Sequence, residues 1–256
     1  ARILEAGARL GPLEIANLVG CGISEIDVKR RVRVFVISTG DEIVDSIAEL
    51  GPGRIMNVNG PLICALADRH GFEVTGDEIV RDDLEQTTDC IRRGLDRSDV
   101  VLLSGGVSEG DFDYVPEAMR RCGLEIHFDR VATKPGKPVT FGTGDAGIFF
   151  GLPGNPVSTF VAFHTFVLRA AARLSNAKYS VKRFKIRLAK ELKRKPANRI
   201  ALVPCRITPD GFAEPVAYHG SAHLAAVLGA DGFMEIPKQT DRLPAHSDVA
   251  IMVFGF

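Results

Sequence analysis

Neither sign of charge predominates in this chain. Lys plus Arg and Asp plus Glu number 32 each, so no global field draws it to nucleic acid or an anionic membrane. Aromatics are sparse at 7%, which also argues against a nucleic-acid surface. Long apolar runs are missing: none reaches membrane-spanning length, and no stretch near the N-terminus has the charged, apolar and small-residue order of a signal peptide. Cysteine is scarce, odd in number and scattered. Cys21, Cys64, Cys90, Cys122 and Cys205 are never closer than 26 positions, which excludes a disulfide framework and a sequence-paired zinc site. They are read as reduced core thiols, and the expected compartment is cytoplasmic. An initiating methionine is absent as well, and with Ala1 at its head the chain is expected to be a fragment.

What is present suits one or two globular domains: 256 residues, 45% hydrophobic. Residues 32–38, VRVFVIS, are a short β-branched apolar run, the mark of a buried strand. NVNGPLICALADRHG then offers a helix, with Asn59 as its cap, Pro61 in its first turn and Gly71 as its stop. FEVTGDEIV predicts a second strand; Leu84, Thr88, Ile91 and Leu95 form one stripe of an amphipathic helix; DVVLLS is a third strand. A short helix follows around Tyr114 to Arg121, then strands at LEIHFDRV and GIFF, then a long helix from Pro156 to Leu174. This alternation predicts an α/β, three-layer domain with a mainly parallel sheet over about residues 31–177. Residues 178–256 alternate differently, with recurring Pro and Gly, and predict a small, mostly β domain. Residues 1–30 read as a helical then extended piece without a core, a segment belonging to something upstream.

In an open parallel sheet, ligands sit beyond the carboxyl ends of the strands. Four polar loops fall at such ends: STGDE (38–42), RDD (81–83), SGGVSEGDFDY (104–114) and GLPGNPVS (151–158). A fifth, KPGKP (134–138), brings two lysines together. Each has a bland reading. Asp111 could cap the following helix, and KPGKP could be a solvated turn. Their coincidence on one rim favours a site. Glycines let backbone N–H groups approach an anion, Asn155 can cap and Pro156 can start a helix, Ser158 adds a hydroxyl, and Lys134 and Lys137 neutralise further charge. The carboxylates Glu42, Asp82, Asp83 and Asp113 would repel an anion directly, so they are read around a bridging hard cation, Mg²⁺. The residues thus point to a phosphorylated or oxyanionic ligand with a divalent metal.

STGDEIV, IVRDD, SGGVSEGDFDYV, KPGKPVTFG and GLPGNPVSTFVAF, in this order, resemble the MoeA family, the molybdopterin molybdenumtransferases; HGSAHLAAVLGADGFMEIP extends the resemblance through the second domain. The resemblance implies a MogA-like first domain and a late step of molybdenum cofactor synthesis: adenylylated molybdopterin releases AMP and receives molybdate. It implies that Glu42, Asp82 and Asp113 are catalytic or metal-binding, with Asp83 beside them. Thr39, Gly40, Asp41, Ser104, Gly105, Gly106, Val107, Ser108 and Asp111 match the loops around the pterin phosphate. Lys134, Lys137, Pro153, Gly154, Asn155, Pro156 and Ser158, with Arg199 and Ser221 of the second domain, match groups that hold molybdate. A homodimer is also implied, as are two further N-terminal domains, one lending an acidic residue across the interface, and an upstream adenylyltransferase of the MogA or MoaB kind. Glu109 departs from the pattern, since relatives often carry an aliphatic residue there.

Two other readings stand beside this one: an adenylyltransferase on the same sheet, and a non-catalytic dimeric scaffold of the gephyrin type. Elsewhere, His219 and His223 are four apart, but Gly220 and Ser221 suggest a loop and no Cys or carboxylate completes a zinc set. The eight Lys or Arg between Lys182 and Lys195 are read as the solvated face of strands.

Overall fold

The computed structural model describes residues 2–8, 10–106, 114–177, 181–195, 197–218, 220 and 223–254. Its first element, α1 (Pro12–Gly20), opens on a proline, and the Gly11 N–H donates to Glu14 at 2.9 Å. No residue of this helix is buried, and Leu13 is 75% exposed. The segment is tethered at Arg30, which reaches Asp99 through two bonds of 2.6 and 2.7 Å. The Arg30 guanidinium, with the Arg33 N–H, holds the Asp99 carboxyl down to about 2. Cys21, at the end of α1, is exposed, so it is not the core thiol expected; Cys90 and Cys205 are buried, and burial pushes both thiols up to about 12.

β1 (Arg33–Thr39) follows, and a small excursion, β2 (Ile43–Val44) and β3 (Ile55–Met56), leads to α2 (Asn59–Arg69). Then come β4 (Glu73–Val80), α3 (Leu84–Arg97), β5 (Val100–Ser104), α4 (Val115–Arg121), β6 (Glu125–Phe128) and β7 (Thr133–Lys134). The hairpin β8 (Thr140–Gly144) and β9 (Gly147–Leu152) closes the unit. The sheet order is β4-β1-β5-β9-β8-β6, with the first three pairings parallel and the last two antiparallel. Alternation along β1 explains the three layers: Val34 and Val36 face one cluster with Ile63 of α2, and Phe35 and Ile37 face the other with Ile91 of α3. Strands buried on both faces read as continuous apolar runs, which is why β1 and β5 were legible. β8 was not. Its Gly142 is a packing device, since a Cβ there would lie 2.5 Å from Met119 and 2.8 Å from the Glu125 carbonyl, and a glycine-rich strand has little sequence signal.

The long helix runs as α5 (Pro156–Ala162), a π-helical turn at Phe163–Val167, and α6 (Leu168–Leu174). His164 sits in that turn, 3% exposed, with its Nδ1 2.9 Å from the Phe160 carbonyl and its ring against Phe160, Phe254 and His70. Burial holds its pKa down to about 4.

The remaining strands are β10 (Lys182–Arg187), β11 (Leu192–Lys193), β12 (Ile200–Ile207), β13 (Ala213–Pro215), β14 (Gly232–Ile236), β15 (Arg242–Leu243) and β16 (Asp248–Val253). Their main sheet is antiparallel, ordered β10-β16-β14-β12-β13. One face packs Leu188, Cys205, Met234 and Ile251 together. The other face gives Leu202, Phe233 and Met252 to the cluster that holds Phe160 and Phe163, so the two sheets share a core. They also share backbone: β7 pairs with β12 in parallel, Thr133 opposite Ile200 and Lys134 opposite Ala201. β7 therefore crosses the expected division at residue 177.

Candidate functional site

β1, β4, β5 and β9 end side by side. Thr39 lies opposite Val80, Ser38 opposite Ser104, and Ser104 opposite Leu152. The loops at 40–42, 81–83, 105–106 and 153–155 consequently leave the sheet at one rim, the crevice end of a parallel sheet.

Gly105 is the point of closest approach. Its φ is +102°, and a Cβ there would lie 2.3 Å from the Thr39 carbonyl oxygen, so no other residue fits. Its N–H donates to the Leu152 carbonyl at 3.2 Å, and Gly154 lies against its Cα. Thr39, Gly105 and Gly154 thus bring three loops together through their backbones. Asn59 adds a side-chain bridge: its Nδ2 donates to Ser104 Oγ and to the Gly154 carbonyl, both at 2.7 Å. The expected helix cap is corrected here. Val58 holds the cap position, no side chain caps α2, and Asn59 is already helical with its amide turned to the loops. Asn155 is corrected in the same way: it stands at the cap of α5 but makes no side-chain cap bond, while Thr159 Oγ1 donates to the Pro153 carbonyl. Pro156 opens the helix as expected.

The acidic loops are built differently. Asp82 accepts from Thr39 Oγ1 at 2.8 Å, and its N–H donates to Asp41 at 3.3 Å, so Thr39 and Asp82 join the first loop to the second. Asp83 accepts from the Gln86 N–H at 2.8 Å through one carboxylate oxygen and caps α3. Glu42 folds back over Gly40, whose Cβ would lie 2.8 Å from Glu42 Oε2. Among the described residues, no three of His, Cys, Asp and Glu gather as a metal site, so Glu42, Asp82 and Asp83 alone do not make a magnesium cage.

The KPGKP loop is no solvated turn. Pro135 and Gly136 are buried, Lys134 is exposed and Lys137 half-buried. The Lys137 carbonyl accepts from Val131 and Val139 N–H groups at 2.8 and 3.1 Å. Arg199, half-buried, comes to this loop because the next residue, Ile200, donates to the Ala132 carbonyl at 3.0 Å. Gly136 faces the Ser158 carbonyl, and Ser158 is 4% exposed beneath it. Val107, Ser108, Glu109, Asp111, Asp113, His219 and Ser221 lie outside the described residues. His223 precedes a short 3-10 turn at Leu224–Ala226.

Sequence reasoning missed a second polar node beside Asn59. Ser38 Oγ donates to Asn57 Oδ1 at 3.0 Å, the Gly60 N–H donates to the same oxygen at 3.0 Å, and Asn57 Nδ2 reaches Asp45 at 3.1 Å. The available signal was the pair of asparagines in NVNGP, which local cap reasoning absorbed.

Comparison with known proteins gives a consistent result. Residues 35–173 match the family model described as a probable molybdopterin binding domain, and residues 185–254 match the MoeA C-terminal region, domain IV. A molybdopterin molybdenumtransferase from Staphylococcus epidermidis is 32% identical over 254 residues, covering 98% of this chain and 61% of its own length. One from Staphylococcus aureus is 33% identical over the same shares. A molybdopterin biosynthesis MoeA protein of known structure from Pyrococcus horikoshii is similar at TM-score 0.84 and 30% identity, covering 99% of this chain and 62% of its own. The chain therefore spans 61% of the length of these curated relatives.

Proposed function

Because this chain belongs to the molybdopterin-binding domain family, we propose that it acts in molybdenum cofactor biosynthesis, as the substrate-holding part of a molybdopterin molybdenumtransferase. In this reading, adenylylated molybdopterin lies on the rim of the parallel sheet. Water attacks phosphorus, the bond to AMP breaks, and molybdate gives up an oxygen, carried off as water by the two thiol protons, as its molybdenum bonds the dithiolene sulfurs of the molybdopterin left behind. The observation that carries it is the close approach of Gly105 to Thr39, which brings three loops together at the carboxyl rim of the sheet, where a phosphate would be met.

The chain's own residues then have separate tasks. Gly105 and Gly106, half-buried at the rim, let the chain come close to the phosphate, with Gly40, Asp41 and Ser104 beside them and Val107, Ser108 and Asp111 next in the sequence. Thr39 holds Asp82 in place by its 2.8 Å bond, and Asp82, Glu42 and Asp113 orient the attacking water and take its proton. Lys134, Lys137 and Arg199, assembled where β7 meets β12, hold molybdate with Ser158, Ser221 and the 153–156 loop. Charge neutralised at fixed positions is the main requirement for cleaving a phosphoanhydride. Magnesium belongs to this reading only as a companion of the substrate phosphates, since the described carboxylates form no cage of their own. A homodimer, a cytoplasmic setting and an upstream adenylyltransferase complete the proposal. The match of residues 185–254 to the MoeA C-terminal region supports a molybdenumtransferase over an adenylyltransferase.

The test is calorimetric titration of the chain with molybdopterin and with molybdate, beside an assay for AMP from adenylylated molybdopterin. Gly105→Ala is expected to abolish molybdopterin binding. Absence of any molybdopterin binding by the wild type would sink the reading.

A further inference from the structure

Asn59 is 8% exposed, and its amide is oriented without ambiguity: the Gly154 carbonyl can only accept, so the nitrogen faces it. The second bond goes to Ser104 Oγ, on the last residue of β5, from which Gly105 and Gly106 depart. One side chain therefore ties the loop after β5 to the loop after β9. The other half of the amide gains nothing among the described residues, where Oδ1 is buried and has no partner. An unsatisfied buried acceptor costs about as much as one or two net hydrogen bonds contribute, so Asn59 is a poor stabiliser. A residue with little value to the fold, set between two site loops, calls for a functional account.

We propose that Asn59 is a positioning residue that sets the spacing between the Ser104–Gly106 loop and the Pro153–Asn155 loop. It thereby couples the binding of the pterin phosphate to that of molybdate. The inference rests on the reading of these loops given above. Coupling arises because either ligand, by ordering its own loop, orders the other through the shared amide.

The experiment compares wild type, Asn59→Ala and Asn59→Asp. Each is titrated with molybdopterin and with molybdate, alone and in the presence of the other, and each is unfolded in urea without ligand. In the wild type, each ligand is expected to tighten the other. Asn59→Ala is expected to keep the urea midpoint near that of the wild type, to weaken molybdopterin by about tenfold, and to abolish the mutual effect. Asn59→Asp turns an acceptor toward the Gly154 carbonyl, so it should bind poorly at neutral pH. It should recover toward wild type as the pH falls and the carboxyl gains an O–H to donate, a rescue that a purely structural role does not produce. Should Asn59→Ala fail to fold, this pH rescue carries the test. Independent binding of the two ligands by the wild type overturns the proposal, as does unchanged affinity in both variants or a stability loss without pH rescue. If the wild type binds no molybdopterin at all, the reading of the loops has failed first, and this inference with it.

Discussion

In the parallel sheet four polar loops gather at the carboxyl ends of β1, β4, β5 and β9, whereas in the antiparallel sheet charged side chains line an outer edge, from Lys182 to Arg187 on β10. Both faces of the first sheet are covered, so its central strands β5 and β9 carry no charged side chain, and charges sit on the edge strands β4 and β6 or else at or beyond the strand ends. The second sheet has one dry core of its own and turns its other face onto the first unit, leaving its edge free to be charged. The candidate site loops meet at one rim because β1, β4, β5 and β9 end there side by side. The second unit contributes by placement: pairing of β12 with β7 seats Arg199 at the lysine loop.

The largest expected effect tests whether the two sheets form one cooperative body. Phe233 is buried in the shared cluster, and Phe233→Ala should cost about 3–5 kcal/mol, read as a single urea transition moving to lower denaturant. Two separated transitions would mean that the sheets fold independently and that the comparison overstates their union.

Next comes pH, acting at the same seam. His164 has a pKa held down to about 4 by burial, with the positive charges of His70 and Arg69 pushing the same way. An unfolded chain takes up the proton near pH 6.5, so unfolding is favoured as pH falls from there towards about 4. Full stability is present above about pH 6.5, and roughly 3 kcal/mol should be lost across that window. In His164→Leu the corresponding slope should flatten, which urea unfolding at a series of pH values would reveal.

Asp83→Ala sharpens the contrast between a cap and a ligand. Loss of the bond from the Gln86 N–H should cost about 1 kcal/mol, seen as a lower melting temperature, with molybdopterin affinity unchanged. A drop in affinity out of proportion to that would make Asp83 a ligand as well as a cap. Smallest in stability is Lys134→Ala, on an exposed side chain, expected within about 0.5 kcal/mol of wild type. Molybdate binding should nonetheless weaken, and less so as salt rises, since exposed charges are screened over about 10 Å at 0.1 M. A salt-independent loss would place the lysine in contact with the loop backbone instead.

Much of this was open to reading from the chain alone. Apolar runs buried on both faces, the amphipathic stripe of Leu84, Ile91 and Leu95, and the glycine-rich loops after strands are local patterns, and local patterns survive without a fold. The buried Thr88 in that stripe satisfies its own hydroxyl on the Leu84 carbonyl, so it did not spoil the pattern. Tertiary structure alone decided the rest. β8 was hidden by glycines such as Gly142, which Met119 and Glu125 explain; β7 left its own unit to join another; and Asn59 left its cap for two distant loops. In each case a local preference met a partner far along the chain. A short side chain has a few competing hydrogen bonds of similar strength, and only packing determines which of them is within reach.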